Sequence, residues 1–547
     1  MSDTGFGAVF ARRAAISFFI CVVLFFSCIL RVAVSALTDY SAVLNRQSGY
    51  RLTVGRLRGT IYDRNMVPLT NAESKIIAAV SPTPRAVTAV SGALYGDELQ
   101  GVLEKLKGGK PVLCEVPREI DCDGIACMRV YTHNSADTPA VHLLGYTDSD
   151  LRGMSGIEKA YDGILYSEKE AAFVYTKDGK GDILAGVKPV AENDSAVTAG
   201  GVLTTLDINI QAIAETEAEA IDAGAVIIAD SKTSEIRAAV SRPDFDCTDI
   251  AKYLTADNSP LLNRALAAFN VGSVFKPCVA AAGMESGKGS FGYNCTGSCK
   301  IIDRVFKCHK RSGHGLMTLK SGLANSCNTF FYNFAFNIGA DAVFNMASSL
   351  NFGKSFDICE GIASAAGSLP QRESLDNIAY LANFSIGQGE LLLSPAAMLT
   401  LYCAAAYDGS YALPTAVSGT LSGGRFTPVS ERGRTRVMTA RTAKELREYL
   451  SAVITEGTGT AARPKSVSAA GKTATAQTGK YENGKEICEG WFCGFFPADE
   501  PEYTVIVFSE NISKQSKSCA EIFAAIAAYR TNMDVFKRIL LGFGTDI

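Results

Sequence analysis

Hydrophobic and polar positions divide this chain into an apolar start, a mixed stretch, and a long region where strand and helix periods alternate. Residues 14–30 are almost unbroken apolar, with Phe18, Phe19, Ile20, Val22, Val23, Leu24, Phe25 and Phe26 behind Arg12-Arg13, and apolar character resumes from Val32 to Leu37. With Arg31 able to snorkel, this is long enough to cross a bilayer, and the leading arginines predict a cytoplasmic N-terminus with the remainder outside. A signal peptide cleaved near Val34-Ser35-Ala36 is the competing reading, disfavoured because the run exceeds a usual signal core. The pattern predicts a cytoplasmic tail over 1–13 and a transmembrane anchor over 14–37.

Past the anchor, Leu57 to Asn65 is a short strand-like piece ending in charged and turn residues, taken by itself a surface strand. Residues from about 70 to 195 mix short strands, Gly/Pro turns and charged helical stretches, with Gly153 to Lys159 a turn opening into a helix. No catalytic constellation shows there, so 38–195 is expected to be a pedestal or interaction domain. Near Thr198 to Leu206 the pattern turns to strand, and Asp207 caps a helix through Gln211 and Glu215. Ala223 to Asp230 and Glu235 to Ser241 predict a hairpin. A helical middle carries Ser273 and, within Leu316 to Phe336, Ser326. Strands return at Val467–Gln477, Gly490–Phe496 and Tyr503–Ser509, and a helix over Ser518–Tyr529 is expected to close on that sheet. This makes 196–535 one α/β domain followed by a tail, 536–547.

Composition narrows the function. The 547 residues are 47% hydrophobic and 20% charged, enough for more than one domain with a core. A net charge of −3 without local basic runs argues against nucleic acid as a partner. With only four His, no His-based triad or metal-ligand spacing stands out, and neither a metal nor a cofactor is expected. Of the 16 Cys, Cys21 and Cys28 fall in the membrane run, while Cys278 and Cys403 sit in apolar contexts where thiols pack as small hydrophobes. Cys114, Cys122 and Cys127 form one loop cluster; Cys295, Cys299 and Cys308-His309 form another. A disulfide or free thiols are expected there ahead of zinc, because the flanking turn residues frame no compact ligand set. Abundant unpaired thiols outside a membrane would suit an anaerobic source.

The chemistry concentrates in Gly272-Ser273-Val274-Phe275-Lys276. A lysine three residues after a serine lies one helical turn away on the same face, within hydrogen-bonding reach. Serine needs an activating base, and lysine becomes one only when burial lowers its pKa. The apolar run from Pro277 to Gly283 offers that burial. Alone, Ser-x-x-Lys is a chance pattern. Ser326-Cys327-Asn328 and Lys472-Thr473-Ala474 follow it at the wide spacing of Ser-x-Asn and Lys-Thr-Gly.

These three elements in order resemble the serine penicillin-recognising enzymes, and the chain as a whole resembles a class B penicillin-binding protein, a monofunctional peptidoglycan DD-transpeptidase. Arg58-Gly59-Thr60-Ile61-Tyr62-Asp63-Arg64-Asn65 resembles that family's N-terminal signature and Gly153 to Lys159 its second non-catalytic motif. Pro260 to Ala265, His314-Gly315, Ser385 to Gly389 and Gly457 to Ala461 resemble recurrent segments of its transpeptidase domain. The resemblance implies an α+β architecture: a transmembrane helix, an extended mixed α/β pedestal, then an antiparallel sheet flanked by helices with an all-helical subdomain.

It also implies roles. Ser273 would attack the penultimate D-alanine carbonyl of a stem peptide and Lys276 would take its proton. Ser326 would relay a proton to the leaving amine, Asn328 would bind the substrate amide, and Lys472 would supply positive charge. Thr473 and Thr475, on the other face of the strand, would hold the substrate carboxylate. The backbone N–H groups of Ser273 and Thr475 would form the oxyanion hole, a donor of that kind contributing roughly 2.7–4 kcal/mol. β-Lactams would acylate Ser273, and a polytopic glycosyltransferase of the wall-synthesis machinery would be the partner. Nothing before 196 resembles a glycosyltransferase domain, and no appended cell-wall-binding module is expected.

Two positions depart from the family. Ala474 stands where it has Gly, its methyl directed to the Lys472 side, and Met66 stands where Gly commonly follows Asn65. Two other readings share the chemistry or the fold: a DD-carboxypeptidase or β-lactamase, in which water replaces the acceptor amine, and a catalytically impaired scaffold or β-lactam sensor, which Ala474 alone favours.

Overall fold

The apolar N-terminal run folds as one helix, α1 (Thr4–Leu37), whose span Ala11–Val34 has a mean hydropathy of 2.5 and is not buried against the protein. At 1.5 Å per residue those 24 residues reach about 36 Å, enough for a hydrocarbon core of about 30 Å. The computed structural model describes residues 4–37, 49–178, 180–184, 187–193 and 200–529. Residues 1–3 of the expected tail, the expected strand start at Thr198 and the C-terminal tail 536–547 lie outside them.

The chain divides into two compact units, and the division is not a single cut near 195. Residues 75–130 and 170–194 fall in the first unit with 1–55, whereas 56–74 and 131–169 belong with the C-terminal unit. In the first unit a three-stranded sheet places Glu73–Val80 between Val112–Val116 and Ile125–Thr132. The helices Pro84–Ser91 and Gly96–Leu106 bury Ala86, Val90, Val102 and Leu106 with Ala78, Val80, Val116 and Ile125 of the sheet.

The second unit is built on a five-stranded antiparallel sheet: β1 (Gly224–Asp230), β2 (Ile236–Arg242), β3 (Ala470–Glu482), β4 (Lys485–Phe496) and β5 (Tyr503–Ser509), in the order β2-β1-β5-β4-β3. Strand alternation sorts its side chains into two cores. Val226, Ile228, Phe492, Val505 and Val507 pack with residues of α2 (Ile208–Ala218) and the closing helix Cys519–Tyr529. Ile227, Ala229, Trp491, Cys493 and Ile506 pack on the other side with the helical part. That part contains α3 (Lys276–Glu285), α4 (Leu319–Ala324), α5 (Asn328–Ile338), α6 (Pro395–Ala406) and α7 (Ala440–Thr455). Asp207 caps α2 as expected, accepting from the N–H groups of Asn209 and Ile210.

The Arg58 signature is not a surface strand. Arg58, Thr60, Ile61 and Asp63 are all buried. The Arg58 guanidinium donates to Glu158 Oε2 at 2.6 Å, Asp162 Oδ1 at 2.8 Å and the Leu151 carbonyl at 2.6 Å. Glu158 Oε1 meets His133 Nε2 at 2.8 Å, and His133 Nδ1 meets Asn71 Oδ1 at 3.0 Å. The two non-catalytic motifs are thus the halves of one buried, paired network. Gly59 is required by close approach, since a Cβ there would lie 2.1 Å from the Gly200 carbonyl oxygen. Met66 takes φ +64° with half of its surface exposed, the left-handed conformation that glycine adopts freely.

Candidate active site

Ser273 sits in a short 3-10 turn, Gly272–Phe275, that runs directly into α3. Gly272 begins it with φ +64°, and its N–H donates to the Gly387 carbonyl at 2.8 Å. The Ser385-to-Gly389 segment presses closely here, because a Cβ on Gly387 would lie 2.0 Å from the Gly272 oxygen. Tyr402 Oη donates to the Val274 carbonyl at 3.0 Å and Trp491 Nε1 to the Asn270 carbonyl at 2.7 Å. Both aromatics are buried with their polar tips engaged. Sequence reasoning missed these two supports; the signal for one was that Trp491 is the chain's single tryptophan.

Lys276 is fully buried, and desolvation pushes its pKa from 10.5 down to about 7. Its ammonium donates to the Ser326 carbonyl at 2.7 Å, Ser326 Oγ at 3.2 Å and Asn328 Oδ1 at 2.7 Å. None of these three bonds goes to Ser273, one helical turn away. The Phe331 ring lies beneath it, its centroid 5.4 Å from Nζ.

The Leu316-to-Phe336 segment, expected within a helical middle, is interrupted at the motif. Strand Gly315–Thr318 comes first, then α4 ends at Ala324, and α5 begins at Asn328. Ser326, at φ +51°, is held in the left-handed region between them, a strained conformation of the kind found at functional sites. The break points Ser326 Oγ at Lys276 and makes Asn328 the first residue of a helix.

On β3, Lys472, Ala474 and Ala476 are buried while Thr475 is exposed and Thr473 half-buried. Thr473 and Thr475 therefore stand on the face opposite Lys472. Thr458, in the Gly457-to-Ala461 segment, places its Oγ1 3.1 Å from Thr473 Oγ1, a neighbour that sequence reasoning did not assign. Lys472 Nζ donates to the Thr473 carbonyl at 2.8 Å. Burial, and then the nearby Lys276, depress its pKa well below 10.5, which opposes the permanent positive charge that the resemblance implies. Ala474 faces the nucleophile turn: a Cβ on Gly272 would lie 3.4 Å from the Ala474 methyl and 3.2 Å from that of Ala476. The turn, not the strand, supplies the glycine at this approach.

Beside the Ser326 loop the thiols form a compact set, whereas the turn residues around Cys295, Cys299 and Cys308-His309 were expected to frame none. Cys295, Cys308, His314 and Cys327 converge, with their ligand atoms within 4.8 Å of one another, and Cys299 and His309 are not in the set. All 16 cysteines are free. The Cys327 thiol hydrogen-bonds Cys308 Sγ and holds the Cys308 thiol well below its ordinary pKa. Antiparallel pairing of Gly292–Cys295 with Gly315–Thr318 brings Cys295 opposite Gly315, next to His314, a juxtaposition that spacing along the sequence does not reveal.

The segments carrying Ser273, Ser326 and Lys472 come together between the sheet and the helical part. Residues 224–528 match the penicillin binding protein transpeptidase domain, and the chain belongs to that family, among the class B penicillin-binding proteins. Stage V sporulation protein D of Bacillus subtilis is 28% identical over 497 residues, covering 83% of this chain and 74% of that protein. The peptidoglycan D,D-transpeptidase MrdA of Acinetobacter baumannii is 26% identical, covering 70% of this chain and 61% of its own length. Among solved structures, penicillin binding protein 3 of Mycobacterium tuberculosis complexed with aztreonam superposes with a TM-score of 0.64 at 23% identity, covering 89% of this chain and 97% of that one.

Proposed function

We propose that this chain is a membrane-anchored serine DD-transpeptidase that cross-links peptidoglycan stem peptides. The observation that carries the proposal is the arrangement around Lys276: a buried lysine with a pKa near 7, one helical turn from Ser273 and bonded to Ser326 and Asn328. In this reading neutral Lys276 accepts the Ser273 proton as Oγ attacks the penultimate D-alanine carbonyl. The tetrahedral oxyanion accepts hydrogen bonds from the N–H groups of Ser273 and Thr475. Ser326 passes the proton from Lys276 to the departing D-alanine amine. The Asn328 side-chain N–H group donates to the substrate backbone, while Thr473 and Thr475 take the terminal carboxylate. That carboxylate, held across the strand from Lys472, adds a negative charge that favours the ammonium form which burial otherwise opposes. An amine from a neighbouring strand then attacks the acyl-enzyme.

Arg12 and Arg13, near the start of α1 and ahead of its apolar run, support a cytoplasmic N-terminus and an extracytoplasmic catalytic domain. The family resemblance supports β-lactams as covalent inhibitors and a polytopic glycosyltransferase as partner. The scaffold reading rested on Ala474, and its methyl packs over Gly272.

Incubation of the full chain in detergent with polymerised lipid-linked pentapeptide substrate tests the proposal. Release of D-alanine together with cross-linked dimers is expected. D-alanine without dimers would make the protein a carboxypeptidase, and neither product would refute acyl transfer to these substrates.

A further inference from the structure

The hairpin formed by Ser298–Ile301 and Arg304–Lys307 lies beside the Ser326 loop and presents cations to solvent. We propose that this hairpin is a docking surface for an anionic, uncross-linked peptidoglycan strand, whose stem peptides offer it free carboxylates at the edge of the active site. The identity of the strand rests on the transpeptidase reading above.

Register sorts the hairpin into two faces. Cys299 pairs with Phe306, and the Phe306 ring meets that of Tyr332 on α5 with centroids 5.4 Å apart. Ile301, Tyr332 and Ala382 are buried together at this contact. The hairpin is thereby seated on the helix whose first residue is Asn328. The other face carries Ser298 and Lys300 from one strand and Val305 and Lys307 from the next, with Lys300 opposite Val305 and Ser298 opposite Lys307. Lys300 and Lys307 are therefore diagonal neighbours, at about 7–8 Å. Arg304 at the tip, and Lys310 and Arg311 just beyond the second strand, are exposed with them.

Between positions 300 and 311 these five Lys and Arg residues meet a single acid, Asp303. Other residues separate most of them along the sequence, and strand pairing gathers them. Among the described residues none of the five forms an ion pair, whereas Arg58, Arg237, Arg242 and Arg264 all engage carboxylates. Like charges on neighbouring strand positions repel, so the arrangement is unfavourable until an anion joins it. Protection of an exposed strand edge explains it less well. That task is served by charge of either sign, and this hairpin also exposes Ile302 at 68% and Val305 at 58%.

The cations border the reacting groups. Cys308, next to Lys307, has its sulfur 3.8 Å from that of Cys327, the residue between Ser326 and Asn328. A strand with one stem peptide at Ser273 brings its neighbouring stems toward the hairpin. At physiological ionic strength the field of an exposed charge reaches about 8 Å, so cations at this spacing act jointly on a polyanion and weakly on a single carboxylate. An anionic lipid surface has the same sign of charge; continuity of the hairpin with the loop carrying Ser326 and Asn328 favours the substrate strand.

The test is binding of the full chain in detergent to fluorescently labelled glycan strands bearing tripeptide stems, read by anisotropy. These stems lack the D-alanine pair and cannot acylate Ser273, so the result does not depend on whether acyl transfer occurs. The combined variant Lys300→Gln, Arg304→Gln and Lys307→Gln should weaken binding at least about tenfold, as should amidation of the strand carboxylates with the wild-type protein. Raising salt from about 50 to 300 mM should weaken wild-type binding comparably. Removing three exposed cations elsewhere, by Lys354→Gln, Arg425→Gln and Lys444→Gln, should leave it unchanged. Thermal melts check that the variants fold, and the amidated strands need no variant. Equal binding by the hairpin variant, or equal binding of amidated strands, would overturn the proposal. Loss of binding to mixed micelles containing phosphatidylglycerol, with strand binding kept, would assign the surface to lipid and overturn it as well.

Discussion

Lys276 Nζ donates to Asn328 Oδ1 across 2.7 Å, tying the first residue of α3 to the first residue of α5. The bond makes the base and the substrate-binding amide one unit, with Ser326 between them. Replacement of Lys276 by Met should lower the rate of penicillin acylation by about 10²–10⁴, the range for loss of a general base. Circular dichroism should show the fold retained, since the buried charge is removed rather than orphaned.

The pH dependence follows from burial. Lys276 is pushed down to about 7, so its ammonium form, unable to accept a proton, dominates below that value. Acylation should therefore rise with pH through about 7 and level off above it. Glu489, raised by burial to about 7 on β4, titrates in the same window. The rise should persist in Glu489→Gln; a flat or falling profile there would exclude Lys276 as the titrating base.

Ala474→Gly should leave penicillin labelling unchanged and lower stability by roughly 1 kcal/mol, from a lost buried methyl and a more flexible strand. Gly272→Ala should be worse on both measures. Its Cβ would meet the Ala476 and Ala474 methyls at 3.2 and 3.4 Å, and its backbone is at φ +64°. Denaturant melts with labelling separate the two effects.

The Arg58–Glu158 pair is wholly buried at both ends. Glu158→Ala should destabilise the second unit by about 3–5 kcal/mol, because it leaves the guanidinium without its main partner. Met66→Gly should stabilise by up to about 1 kcal/mol, as relief of left-handed strain exceeds the added freedom of the unfolded chain. Thermal melts of the full chain test both.

Much of this was legible in the residues. The anchor, the hairpin around Ser231 to Ser234, the closing strands and the helix capped by Asp207 follow local patterns, and local patterns survived folding. The motifs at Ser273, Ser326 and Lys472 could be located because their spacing is written in the chain. What could not be read depends on long-range pairing. Cys295 and Cys308 stood out, yet His314 and Cys327 join them only through strand pairing and the turn into α5. The break at Ser326 was hidden because the left-handed residue is a serine rather than a glycine, and the apolar residues on either side continue a helical pattern. Arg58 reads as a surface charge until Glu158, a hundred residues on, closes on it.

The most direct test of the central claim is labelling of the full chain with a fluorescent penicillin, beside Ser273→Ala. Covalent label on the wild type, located by mass spectrometry on the peptide containing Ser273 and absent from the variant, is the predicted result. Folded wild type that takes no label, or label that persists in Ser273→Ala, would contradict Ser273 as the nucleophile.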